Sequence, residues 1–218
     1  MTLDIAHITE DISTTGFWKQ EDAHIGALVD GIIRTDSQSY TEEVLTLCKD
    51  AVFQNDLVSN VIKSLLLEPV FVFCRVFGRG RSKHCIMNRI DDARMRLVTV
   101  FCWSSGSQGT IYSGSHFHHL QATDAPNGLL QISDEELQHP SIEQKSIKMD
   151  QGGLMVVDAR CGWQITKGTC ILLGFAIPDE AKEWSPMPFP STLQDAVTSM
   201  MAETGITIRR MFIRKKYE

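Results

Sequence analysis

The stretch GTIYSGSHFHHL, residues 109–120, places His116, His118 and His119 within four positions behind a short apolar run. Imidazole titrates near neutral pH, ligates transition metals and works as a general acid or base, so chemistry is sought here first. His-x-His on a strand would send both rings to one face, which makes His116 and His118 the start of a two-histidine metal pair. The same residues also fit a turn histidine, His116, bonded to backbone, with His118 and His119 partly exposed. A second polar pair, Asp158 and Arg160, closes the apolar run GLMVVDARCGW. On a strand the two share a face, as an ion pair or as hydrogen-bonding groups of a site. Trp103, Tyr112 and Trp163 lie on neighbouring apolar runs. Aromatic walls with a few polar groups suit an apolar small molecule.

Two kinds of element have to position these residues. Before Pro69 the apolar period is helical. SYTEEVLTLCKDAVFQ opens with a capping box from Ser39 to Glu42 and carries Val44, Leu47, Cys48 and Ala51 on one face. NDLVSNVIKSLLLEP begins at an Asn55 cap, has Leu57, Val61 and Leu65 on one stripe, and stops before Pro69. HIGALVDGIIR reads as a further short helix. After Pro69 the period becomes two. VFVFCRVFG, KHCIMNRI, RMRLVTVFCWSS, GTIYSGS, GLLQIS, KSIKMD, GLMVVDARCGWQIT and TCILLGFAI are strand-like, punctuated by glycine and turn residues such as Lys167-Gly168. Asp91-Asp92 reads as a turn. DEAKEWSPMPFPS reads as a loop, STLQDAVTSMMAETG as a helix capped by Ser191 and ended by Gly205, and ITIRRMFIRKK as a closing strand. Several short strands behind a helical layer give an α+β, mostly β chain of jelly-roll type. One domain over 1–218 is expected, with 1–67 mainly helical and 68–218 the β core, including a helix near 191–204.

Bulk properties exclude some partners. The net charge of −6 gives no electrostatic support for nucleic acid, and the basic tail RRMFIRKKYE is short. No apolar run approaches the roughly 18 residues that a membrane span needs. The first residues lack the basic and apolar regions of a signal peptide. The six cysteines, none in a CxxC pair, read as buried thiols of a reducing compartment, so a cytoplasmic location is expected.

RLVTVFCWSSGSQGTIYSGSH resembles the core strand, turn and Gly-Ser-His segment of phytanoyl-CoA dioxygenase-like proteins. QGGLMVVDARCGW resembles that family's later strand, which begins Gly-Asp and ends in a metal-binding histidine. The resemblance spans residues 94 to 177 and implies a double-stranded β-helix, the jelly-roll or cupin-like fold of iron(II)/2-oxoglutarate oxygenases. Those enzymes need two histidines and a carboxylate, the first two ligands from His-x-Asp or His-x-Glu. Here the residues two places after the seven histidines are Thr9, Gly26, Ile86, His118, Leu120, Gln121 and Ser141. Trp163 stands where the later histidine belongs, and only Lys167 precedes GTCILLGFAIP where the family has its 2-oxoglutarate arginine. The resemblance therefore implies the fold and argues against the family's chemistry.

The expectation is a degenerate member without cofactor: a metal-independent isomerase or cyclase, for instance a pericyclase of Diels–Alder type, acting on an apolar small molecule in secondary metabolism. Catalysis would fall to His116, Asp158 and Arg160. Trp103, Tyr112, His118 and Trp163 would line a pocket inside the β-helix. Two alternatives stand beside it. One is an iron(II)/2-oxoglutarate oxygenase with unusual ligands drawn from His116, His118 and Asp158. The other is a non-catalytic small-molecule binder or accessory protein. A homodimer fits any of these readings.

Overall fold

The fold is seen in a computed structural model that describes residues 4–35, 40–80, 82–87 and 94–213. Asp4 accepts from the backbone N–H of Ala6 and starts α1, Ile5–Thr15, and Gly16 ends it in the left-handed region at φ 90°. The chain then forms β1, Phe17–Glu21, so the N-terminal third, which reads as helical, also contributes a strand. Asp22 caps α2, Ala23–Arg34, which buries Ile25, Val29 and Ile32 on one stripe. Thr41 caps α3, Glu42–Cys48, while Ser39 of the expected capping box lies outside the described residues. A π-helical turn, Lys49–Phe53, leads to α4, Asp56–Leu65, capped by Asn55 as expected. Its buried stripe is Val58, Val61 and Ile62, with Leu57 and Leu65 only partly buried at its edges.

The β region follows in order: β2 (Val70–Gly78), β3 (Lys83–Cys85), β4 (Leu97–Trp103), β5 (Ser107–Ser113), β6 (Ala122–Asp124), β7 (Leu130–Ile132), β8 (Glu143–Met149), β9 (Gly153–Asp158), β10 (Gly162–Lys167) and β11 (Thr169–Ala176). Asp91-Asp92 lies outside the described residues. The proline-rich segment is not a plain loop. It forms α5, Pro178–Ala181, and β12, Met187–Pro190. Ser191 opens a 3-10 turn rather than the helix, and α6 is Gln194–Thr204, ended by Gly205 at φ 72°. The closing strand is two pieces, β13 (Thr207–Ile208) and β14 (Arg210–Ile213). They pair with different partners, β2 and β12, and both pairings are parallel.

Two six-stranded sheets face each other without closing into a barrel. The first has the order β1-β9-β4-β11-β2-β13 and the second β6-β7-β3-β10-β5-β8. Strand β4 is buried at all seven positions because both its faces are covered. Val98, Val100 and Cys102 pack with α1–α4 and α6 on the outer side of the first sheet. Leu97, Phe101 and Trp103 point the other way, into the layer between the sheets. Strand β9 divides alike, with Leu154 and Val156 toward the helices and Met155 and Val157 between the sheets. All six cysteines are buried and unbridged. Among the described residues no helix is long and apolar enough to cross a membrane.

Candidate functional site

Asp158 is the last residue of β9 and continues the alternation of Leu154 and Val156, so it belongs to the helix side of the sheet. It is 1 % exposed. Its carboxylate accepts from the Arg160 backbone N–H at 2.9 Å, from Nε at 3.0 Å and from Nη2 at 2.7 Å. The second and third bonds are the two-pronged pairing that guanidinium and carboxylate geometry allow. Arg160 itself stands in the turn after β9, not on the strand. The expectation that the two share a strand face is corrected: a turn folds the arginine back over the aspartate.

His116 sits on a 3-10 turn, Ser115–Phe117, and is 1 % exposed. Its Nε2 lies 3.2 Å from the carbonyl oxygen of Ser13, so Nε2 carries the proton and donates. Nδ1 is then an acceptor, 3.5 Å from Cys161 Sγ. Burial holds the imidazole below its ordinary pKa, against the opposing pull of the Asp158 charge. Cys161 is pushed well up, chiefly by burial, and stays a thiol. This packing requires Gly16. A Cβ there would lie 2.1 Å from Cys161 Sγ and 2.8 Å from His116 Nδ1, at a φ that side chains avoid. Gly16→Ala is expected to cost about 2–5 kcal/mol, from the left-handed backbone and the overpacking together. Chemical denaturation should show it as a lower midpoint at unchanged slope.

His116, Asp158 and Arg160 do come together. They line a cleft of about 640 Å³ with Ser13 of α1, Leu65 of α4, Met95, Phe117 and Ile177. The cleft lies on the helix side of the first sheet, not inside the β-helix. Trp103 and Trp163 belong instead to the layer between the sheets, where both pack on Phe101, stacked at 6.0 Å and edge-on at 5.2 Å. The expected common pocket inside the β-helix is corrected: Trp103 is packed within that layer, and of the four expected lining residues Trp163 alone borders a small cavity there. Tyr112 faces the opposite, outer side of the second sheet with Leu120, Ile132 and Leu137. His118 turns away from His116 toward Ser141 and His139. The 3-10 turn breaks the strand alternation that would have set His116 and His118 side by side.

The structure also identifies a residue missing from the sequence-derived site. His84 on β3 stands directly opposite Trp163 on β10, with ring centroids 5.6 Å apart. Of the seven histidines it is the one beside Trp163, where the resemblance would put the later metal ligand. Trp163 and His84 border a cavity of about 250 Å³ with Phe77 and Asn127. Asn127 Nδ2 lies 3.4 Å from His84 Nε2, and burial lowers the imidazole pKa. The residue two places on, where a carboxylate would be needed, is Ile86, which is buried. One imidazole, an isoleucine and a tryptophan do not fit an iron(II) ion. Nor do the described residues contain any group of three His, Cys, Asp or Glu side chains able to share a metal, so His116, His118 and Asp158 form no ligand set. Like every other histidine here, His84 lacks a carboxylate two residues on. Without the strand register, nothing set it apart from the other histidines.

The chain has the cupin-like double-stranded β-helix of non-heme 2-oxoglutarate oxygenases. It is similar to iron-bound HygX from Streptomyces hygroscopicus, at TM-score 0.53 and 9% identity over 79% of this chain and 86% of that one. It is also similar to SnoK, a non-heme alpha-ketoglutarate-dependent carbocyclase from nogalamycin biosynthesis, at TM-score 0.52 and 9% identity over 81% and 85%. A third similar structure is the non-heme monooxygenase ThoJ, at 0.51 and 12% over 78% and 76%. No protein-family model and no curated protein matches the sequence.

Proposed function

We propose that the chain is a metal-independent isomerase or cyclase acting on an apolar small molecule in secondary-metabolite biosynthesis. One observation carries this reading: the ligand positions around His84 hold Ile86 and Trp163, while a cleft of about 640 Å³ remains beside Asp158 and Arg160. Its volume is that of a small-molecule site, and Leu65, Met95, Phe117 and Ile177 supply apolar walls. Such walls speed a unimolecular rearrangement by holding the substrate in near-attack conformers. Arg160, oriented by Asp158, stabilises negative charge developing on a substrate oxygen. His116 acts as a positioning residue that fixes the turn beside α1. That the fold serves ring-forming biosynthetic chemistry elsewhere is supported by SnoK, a carbocyclase from nogalamycin biosynthesis.

The engagement of His116 by Ser13 and of both Asp158 oxygens by Arg160 favours a second reading, a binder without turnover. One assay separates them. Protein in EDTA is incubated with a panel of polyene and terpenoid precursors, and binding and products are followed by mass spectrometry. The enzyme reading expects product at about a hundredfold or more over buffer, the low end for one positioned polar group, and its loss in Arg160→Ala. Stoichiometric binding with no conversion supports the carrier. A requirement for iron(II) and 2-oxoglutarate overturns both.

A further inference from the structure

His118 follows the 3-10 turn after β5, and His139 comes from the loop before β8. The fold brings their rings to a centroid distance of 4.2 Å. One nitrogen of each converges on a single point, the hydroxyl of Ser141: His118 Nε2 at 2.7 Å and His139 Nδ1 at 2.8 Å. The Ser141 backbone N–H also points at His139 Nδ1, at 3.3 Å, so that nitrogen is an acceptor. The serine O–H therefore donates to His139, and His118 Nε2–H donates to the serine oxygen. Moving the His118 proton to Nδ1 would turn both nitrogens into lone-pair donors aimed at one place, with no change of charge.

We propose that His118 and His139 bind a divalent transition-metal ion of the zinc or nickel type at this point. Two imidazoles suit such borderline ions and not calcium or magnesium, which want oxygen ligands. The ion takes the place of the Ser141 hydroxyl, which both nitrogens now contact at 2.7 and 2.8 Å and which swings aside, and the nitrogens close on it to a metal bond of about 2.0–2.1 Å. His139 and Ser141 are exposed, so water completes the coordination. His116 takes no part, since both its ring nitrogens face partners in the core. The ion would clamp the loop before β8 to the turn carrying Phe117, which borders the cleft and is 60 % exposed. The site is independent of any chemistry in that cleft.

The test is titration of the full chain with zinc chloride and with nickel chloride, read by calorimetry. One ion per chain is expected. His118→Ala and His139→Ala should each weaken binding at least about tenfold, as expected for loss of one of two ligands, with circular dichroism unchanged. Ser141→Ala should keep binding, because the hydroxyl is not a required ligand. His24→Ala, which removes another exposed histidine beside a carboxylate, should change nothing. The proposal is overturned by no binding to the wild-type chain, by binding indifferent to His118 and His139, or by loss on Ser141→Ala equal to theirs.

Discussion

Asp158→Ala is expected to lower the unfolding free energy by about 3–5 kcal/mol, the usual result of removing one partner from a buried ion pair. At this chain length that corresponds to roughly 6–20 °C in Tm. The size of the effect follows from burial. The Asp158 side chain is 1 % exposed and that of Arg160 13 %, so solvent does little to replace the lost carboxylate. The local backbone adds to it. Asp158 N–H bonds the Gly16 carbonyl at 2.9 Å and its own carbonyl accepts from Cys161 N–H at 2.9 Å, so the aspartate joins the end of α1 to the turn after β9. Asp158→Asn keeps the shape and half of the acceptor capacity and should fall between the two. A calorimetric Tm within about 2 °C of wild type for Asp158→Ala, less than 1 kcal/mol at this size, would mean that the pair is not an anchor.

A second large effect is a gain. Ile86→Asp combined with Trp163→His is expected to raise nickel or iron(II) affinity at least about a hundredfold, the scale on which ligand completion acts. The reason is strand geometry. Position 163 is opposite His84 in the β3–β10 pair, and Ile86, just past the end of β3, packs in the same between-sheet cluster as Trp163. The double variant would set two imidazoles and a carboxylate about one point. Metal content after dialysis, with His84→Ala in the same background as control, measures it. Replacing Trp163 removes an edge-on contact with Phe101 at 5.2 Å and another with Phe77 at 5.9 Å, so stability should drop while metal binding rises. If the double variant folds and gains no metal beyond what the wild-type chain binds, then the strands do not bring positions 84, 86 and 163 together as described, and the case against iron chemistry loses its geometric footing.

The fold was legible because its signals are local. Asn55 capped the helix it was expected to cap, Gly205 ended α6, and the strand runs from Val70 onward kept their period of two. Boundaries slipped where distant partners decide. Phe17–Glu21 became a strand by pairing with β9, and Met187–Pro190 by pairing with β14. Neither segment carries an alternation strong enough to announce this.

The sequence by itself determined the double-stranded β-helix, the burial of its cysteines, and the lack of a carboxylate two residues after every histidine. Only the tertiary structure decided which residues meet. In runs such as LVTVFCW and GLMVVD both faces are apolar, so alternation divides Asp158 from Val157 without telling which side is cleft and which is core. That choice depends on which layer covers each face. It put Asp158 under the helices, Trp163 between the sheets against His84, and His118 beside a histidine from another loop.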